Sequence, residues 1–201
     1  MPAAFPGVTD ADGYPRELEA DVPLRDGGTI HVRPIRADDA GRLQAFHRRL
    51  SRDSIFFRFF SHLPELTDER AAYFTRIDYQ RRMAIVAVSP GADGDEIVGV
   101  IRYDVIAPGR AEMALIVEDR YQHHGIGAAL LDHLILAARE RGIRTIVADV
   151  LAENWRMLRL LRESGNPTVT RRHADVVRVE LTVTGTPQSV DAGGYGSAKL
   201  D

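Results

Sequence analysis

At 201 residues the chain has the length of one ordinary domain and suffices to bury a core of its own. A formal net charge of −3 gives no reason to expect nucleic acid as a partner, and the lack of any cysteine excludes disulfides, thiolate metal sites and a cysteine acyl-enzyme together. The opening MPAAFPGVTDADGYP has neither the basic flank nor the apolar run of a signal peptide, and no stretch is long and apolar enough to span a bilayer, so a cytoplasmic protein without a membrane partner is expected.

Residues 1–18 and 185–201 are rich in Gly, Pro, Ala, Ser and Asp with little periodicity, and read as flexible tails around a single domain over 19–184. Val22–Leu24 and Thr29–Ile35 flank Asp26-Gly27-Gly28, which predicts a hairpin. Asp38 or Asp39 then caps a helix whose apolar positions Leu43, Phe46 and Leu50 recur at helical spacing. A short helix over SRDSIFFRFF follows, its phenylalanines 56, 57, 59 and 60 read as packing residues, and Thr67 opens a third helix that runs through Arg76.

A sheet comes next. Met83–Val88 and Ile97–Val105 are strands about an SPGADGDE turn, and Ala111–Val117 continues the meander. A helix over Gly125–Arg141 places Leu130, Leu131, Leu134 and Ala138 on one face and stops at Gly142. Ile143–Leu151 is a strand, Glu153–Ser164 a helix, and Val176–Val183 an alternating last strand in a terminal hairpin. Periodicity alone leaves α+β and α/β both open.

The stretch Gln122-His123-His124-Gly125-Ile126-Gly127 joins the strand ending at Val117 to the long helix, and reads as a phosphate cradle. Two glycines keep side chains away, and the first-turn N–H groups of the helix have no intrahelical partner. A Walker loop is excluded, because Ala128-Ala129 stands where Lys-Ser/Thr is required. A dinucleotide loop is a closer decoy, since Asp149 ends the next strand about 20 residues on. Leu130 at the third glycine position, the EDRYQHH spacer and the terminal hairpin argue against it.

The pattern resembles the coenzyme A loop of the GNAT superfamily of N-acetyltransferases, with Val117, Gln122, Gly125 and Gly127 in the motif places. Asn154 to Gly165, NWRMLRLLRESG, is similar to the family's Asn-containing helix that ends at a glycine. The resemblance spans about Arg110 to Gly165 and implies an α/β fold with a mixed sheet whose central strands splay to admit the pantetheine arm. It also implies acetyl-CoA as cosubstrate with no metal. Backbone groups of Leu115, Ile116 and Val117 would pair with the pantetheine amides as an added strand. Gln122, His123, His124, Gly125, Ile126, Gly127 and Ala128 would wrap the pyrophosphate, and Asn154 and Leu158 would meet the cofactor from the next helix. Read without the family, Asn154 satisfies its own helix turn.

A narrower resemblance lies in LSRDSIFFRFFSHLPELTDER and AEMALIVEDRYQHHGIG, which look like the acyltransferase domain of bacterial protein lysine acetyltransferases. There an Ala-Glu pair, here Ala111-Glu112, supplies the catalytic base; as a bare strand residue, Glu112 would be an ordinary solvent-facing glutamate. A lysine-like amine has a pKa of about 10.4, so its deprotonation at neutral pH costs roughly 4–5 kcal/mol, and a carboxylate near the thioester can take that proton. Many members carry a tyrosine acid where Leu161 stands here. That leaves the departing thiolate without a proton donor from 161 and keeps a non-catalytic acyl-CoA binding module as the alternative, beside a small-molecule amine acetyltransferase. Tyr121, next to Gln122, reads first as a packed strand-end aromatic and second as a substitute donor. The larger members add a regulatory or ligase-like region for which a chain of this length has no room. Acceptor loops are expected at Ser51–Thr67 and Asn166–Asp175.

Overall fold

The computed structural model describes residues 13–24, 27–91 and 94–183. Among these, eight strands form one sheet in the order β1-β2-β3-β4-β5-β6-β8-β7. The strands are β1 Ala20–Pro23, β2 Thr29–Pro34, β3 Arg82–Gly91, β4 Gly94–Ala107, β5 Arg110–Val117, β6 Thr145–Leu151, β7 Thr168–His173 and β8 Val176–Thr182. Five helices accompany them: α1 Ala40–Arg49, α2 Arg52–Phe59, α3 Asp68–Thr75, α4 Ile126–Glu140 and α5 Trp155–Arg162. Every neighbouring pair is antiparallel except β5 and β6. That parallel step needs a crossover, and α4 supplies it.

Alternation along the strands divides the core in two. Met83, Ile85, Ile101, Tyr103, Met113 and Ile146 point to the back, where they meet Leu130, Leu131 and Leu134 of α4 and Leu161 of α5. Ala84, Val86, Val88, Val100 and Ile116 point to the front, against Leu43 and Phe46 of α1 and Ala71 of α3. The expected α4 face is fully buried, and each leucine contributes about 1.5–3 kcal/mol by leaving water. Gly99 lets α4 sit close on β4: a Cβ there would lie 3.0 Å from Cδ1 of Leu130. At the end of α4, Gly142 takes φ 73° and the N–H of Ile143 bonds the carbonyl of Ala138, the left-handed stop the sequence predicts.

Several expectations need correction. Part of the segment expected in a tail is packed: Tyr14 and Leu18 are 4% and 1% exposed, and the Tyr14 hydroxyl donates to Glu19 at 2.7 Å. Residues 1–12 of that tail and residues 185–201 lie outside the described residues. Asp39 stands at the N-cap of α1, but its side chain makes no cap bond to that helix. Its carboxylate instead accepts both Nη groups of Arg33, at 2.7 and 2.8 Å, and the Arg36 N–H at 2.8 Å. A buried bidentate ion pair outcompetes a local cap because Arg33 is itself only 5% exposed and needs a charged partner. Residues 168–173, expected in an acceptor loop, form β7, paired along its length with β8. On α2 only Ile55 is buried, while Phe56 and Phe60 are 37% and 41% exposed.

Candidate active site

Strands β5 and β6 pair over three positions only: Arg110 with Thr145, Ala111 with Ile146, and Glu112 with Val147. Beyond that, β5 runs on to Val117 with β4 alone beside it, and β6 runs to Leu151 with β8 alone beside it. The sheet opens there as a V with Glu112 at its vertex. The β5 edge from Met113 to Val117 therefore has no strand partner among the described residues, which is where an extended amide-bearing ligand can add as a strand. Leu115, Ile116 and Val117, all partly buried, lie on that edge.

The chain then folds over the open end. His123 has φ 70° and Gly125 φ 94°; the second is a conformation that glycine adopts without strain. Helix α4 starts at Ile126, and the N–H groups of Gly125, Ile126 and Gly127 have no hydrogen-bond partner among the described residues. They form the positive end of a helix of 15 residues, suited to an anion. Ile126 contributes backbone only, since its side chain is 1% exposed in the core. A Cβ on Gly127 would point to Leu160, Leu115 and Val117, between α5 and β5 and toward the V. Gly127, Ala128 and His124 are partly buried and His123 is exposed.

Two predicted ligands are engaged within the protein. The Gln122 side chain donates to the Val117 carbonyl at 3.1 Å and to Ser54 Oγ at 3.4 Å, closing the loop onto the strand end. Asn154 Oδ1 accepts the Met157 N–H at 3.1 Å as the cap of α5, as the family-independent reading has it. Leu158, one turn on, packs partly buried against the back core. Leu161 is fully buried there, so its identity answers to packing. Tyr121 also packs against this core. Asp149, the dinucleotide decoy, is bound by Arg178 at 2.6 and 2.8 Å.

Glu112 is exposed and shares the front face with Ala114, as alternation predicts. It stands opposite Asp104 on β4 and feels the charges of Arg58 and Arg178. Sequence reading missed the network that ties the helical front to the loop. Asp119 accepts from the N–H and hydroxyl of Ser51, at 2.9 and 2.7 Å, and from the Ser54 hydroxyl at 2.9 Å. Burial opposes its ionisation, but these bonds outweigh it and hold the carboxyl below the usual range. Arg49 donates to Glu118 at 2.9 Å and to the Ile97 carbonyl at 2.7 Å. The partners lie tens of residues apart, so no local pattern signals them.

A family model described as acetyltransferase (GNAT) family matches residues 49–165, a span that holds the V, the loop and α5. The chain belongs to the GNAT acetyltransferase family. It is an acyltransferase enzyme with the GNAT fold, and the family uses acetyl-CoA. It is similar to acetyltransferase PA5475 of Pseudomonas aeruginosa, 36% identical over 136 residues that cover 67% of this chain and 73% of the relative. It is similar too to acetyltransferase Pat of Mycolicibacterium smegmatis, 30% identical over 81% of this chain but only 48% of that one, so it spans about half of that relative. The GNAT domain of S. lividans PAT superposes with a TM-score of 0.77 at 39% identity, covering 84% of this chain and 99% of that one. No helix of the described residues is long and apolar enough to cross a membrane.

Proposed function

We propose that this GNAT enzyme moves the acetyl group of acetyl-CoA to a primary amine, a lysine side chain of a protein, by direct attack in a ternary complex with Glu112 as general base. The observation that carries the reading is the placement of an exposed carboxylate at the vertex where β5 and β6 part. A thioester whose pantetheine arm adds along Leu115, Ile116 and Val117 brings its carbonyl to that vertex. The loop from Gln122 to Ala128 receives the pyrophosphate through N–H groups, with Asn154 and Leu158 alongside. His123 and His124 add to the cradle by backbone more than by imidazole.

In the step itself, Glu112 takes a proton from the ammonium, directly or through a water, and the neutral amine attacks the thioester carbonyl. Attack leaves the nitrogen cationic with one more proton to lose. The tetrahedral intermediate collapses with loss of the thiolate, which is tolerable at neutral pH because a thiol has a pKa of about 8.5, and that second proton passes to solvent or to the departing sulfur. No donor from position 161 is required. Leu161 is fully buried, so its identity answers to packing. The lysine assignment is supported by similarity to Pat and to the PAT GNAT domain.

The test is thiol release from acetyl-CoA with a panel of amino acids, polyamines, aminoglycosides and a lysine-bearing protein extract, wild type beside Glu112→Gln. Release with the protein extract that collapses in the variant, with coenzyme A affinity retained, supports the proposal. Undiminished release by Glu112→Gln sinks the base. Release only with small amines moves the substrate class.

A further inference from the structure

The front core holds a cavity that the transfer chemistry leaves unused. It measures about 40 Å³, and Leu43, Phe46, Phe59, Phe74, Val100 and Ile116 are among the apolar side chains around it. Three basic side chains line it too: His47, Arg58 and Arg102. His47 is 3% exposed and Arg102 6%. Neither ring nitrogen of His47, nor Nη2 of Arg102, has a hydrogen-bond partner among the described residues. Polar groups so deeply buried are normally satisfied.

The charge balance is just as uneven. Arg102 lies 3.5 Å from Asp104, but that carboxylate also bonds Arg82 at 3.0 Å. Arg58 senses Asp104 and Glu112 only through space. Its guanidinium lies 4.8 Å from the Phe59 ring centre, as that of Arg102 lies 4.6 Å from Phe74. Burial, then repulsion from Arg102, push Arg58 down to about 10. Burial likewise lowers His47, which stays neutral and able both to donate and to accept. Two carboxylates, Asp104 and Glu112, thus face three guanidiniums, two of them at an apolar cavity, and a desolvated cation without a direct partner is costly.

The size and place of the cavity define what it takes. One water needs roughly 10–15 Å³, so the space holds about three heavy atoms, a carboxylate group, with apolar walls for the stem that bears it. Arg102 pairs with Ala114, and Asp104 with Glu112, so Arg102 lies one same-face step of about 7 Å along the sheet from the vertex. We infer that Arg58 and Arg102 hold a carboxylate carried by the acceptor, spaced to leave its amine at Glu112. The inference rests on the transferase reading. The carboxylate has two possible sources: the α-carboxylate of a free amino acid, or an Asp or Glu side chain beside the target lysine.

Two matched pairs of acceptors test it. The first is Nα-acetyl-lysine against its α-amide; the second is the peptide acetyl-Asp-Lys-amide against acetyl-Asn-Lys-amide. Binding to the CoA-loaded protein is measured by calorimetry and turnover by thiol release, for wild type, Arg102→Met and Arg58→Met. Coenzyme A affinity reports that each variant is folded. We expect the carboxylate-bearing member of one pair to bind about tenfold or more tightly, the scale of charged hydrogen bonds, and either variant to erase that preference. The first pair responding names a free amino acid, the second an acidic neighbour. Equal binding within both pairs, or a preference that survives both variants, overturns the inference even if Glu112-dependent turnover stands. Carboxylate-dependent, Arg102-dependent binding without turnover upholds the carboxylate site and overturns the placement of the amine at Glu112.

Discussion

Replacing Gly127 by alanine separates the stability of the fold from the use of the V. Gly127 is the second residue of α4 and has an ordinary helical backbone, since it is absent from the residues with positive φ. A methyl group there would sit 3.4 Å from Leu160 Cδ2, 3.7 Å from Leu115 Cδ2 and 4.0 Å from Val117 Cγ2, distances of normal contact that need no rearrangement. Alanine restricts the unfolded chain more than glycine and favours the helix, so the free protein should gain about 0.4–1 kcal/mol. For a chain of this size that raises Tm by about 1–4 °C. The same methyl narrows the passage between β5 and α5 through which the proposed pantetheine arm runs. Overpacking there costs about 1–3 kcal/mol, or about 5- to 150-fold in Kd. Thermal unfolding without ligand and calorimetry with coenzyme A read the two effects separately. A variant that binds coenzyme A as tightly as wild type would refute the placement of the arm; a lower Tm without ligand would refute the packing argument.

Glu112→Gln should lower kcat by about 10²- to 10⁴-fold, the range of positioned general bases, with coenzyme A affinity unchanged by calorimetry. Asp39→Asn should cost about 3–5 kcal/mol in urea unfolding, because it leaves Arg33 buried without its charge partner. Burial disfavours the ionised Asp39, yet the Arg33 and Arg36 bonds outweigh it and depress its pKa in the folded state. Its contribution is therefore full above the unfolded value of about 3.9 and is lost as pH falls below that through the folded value. The gap in urea midpoint between wild type and Asp39→Asn should be constant from about pH 5 to 8 and close in acid; a gap that widens in acid would be fatal to this reading. Leu161→Tyr should destabilise by about 1–3 kcal/mol through overpacking without raising kcat. A faster variant would show that position 161 reaches the thiolate after all.

The order of elements, the faces of α1 and α4, and the glycine loop with its helix start are written locally. They depend on periods of two and 3.6 residues and on backbone freedom at Gly125 and Gly142, all visible within a few residues. Resemblance to the GNAT motifs then named the cradle, and alternation placed Glu112 opposite to Met113. Only the folded chain shows that β5 and β6 part directly after Glu112, because the length over which two strands far apart in the chain pair is written in neither of them alone. Long-range choices settled the remainder: Asp39 turned from a helix cap to Arg33, Gln122 to the Val117 carbonyl, residues 168–173 to the edge of β8, and Tyr14 into the core. Likewise, Arg58 and Arg102, 44 residues apart in the chain, share one apolar cavity without enough carboxylate to serve them. Each of these pairs a residue with a partner the local sequence cannot specify, and burial in a low-dielectric interior, which exists only after folding, decides which partner wins.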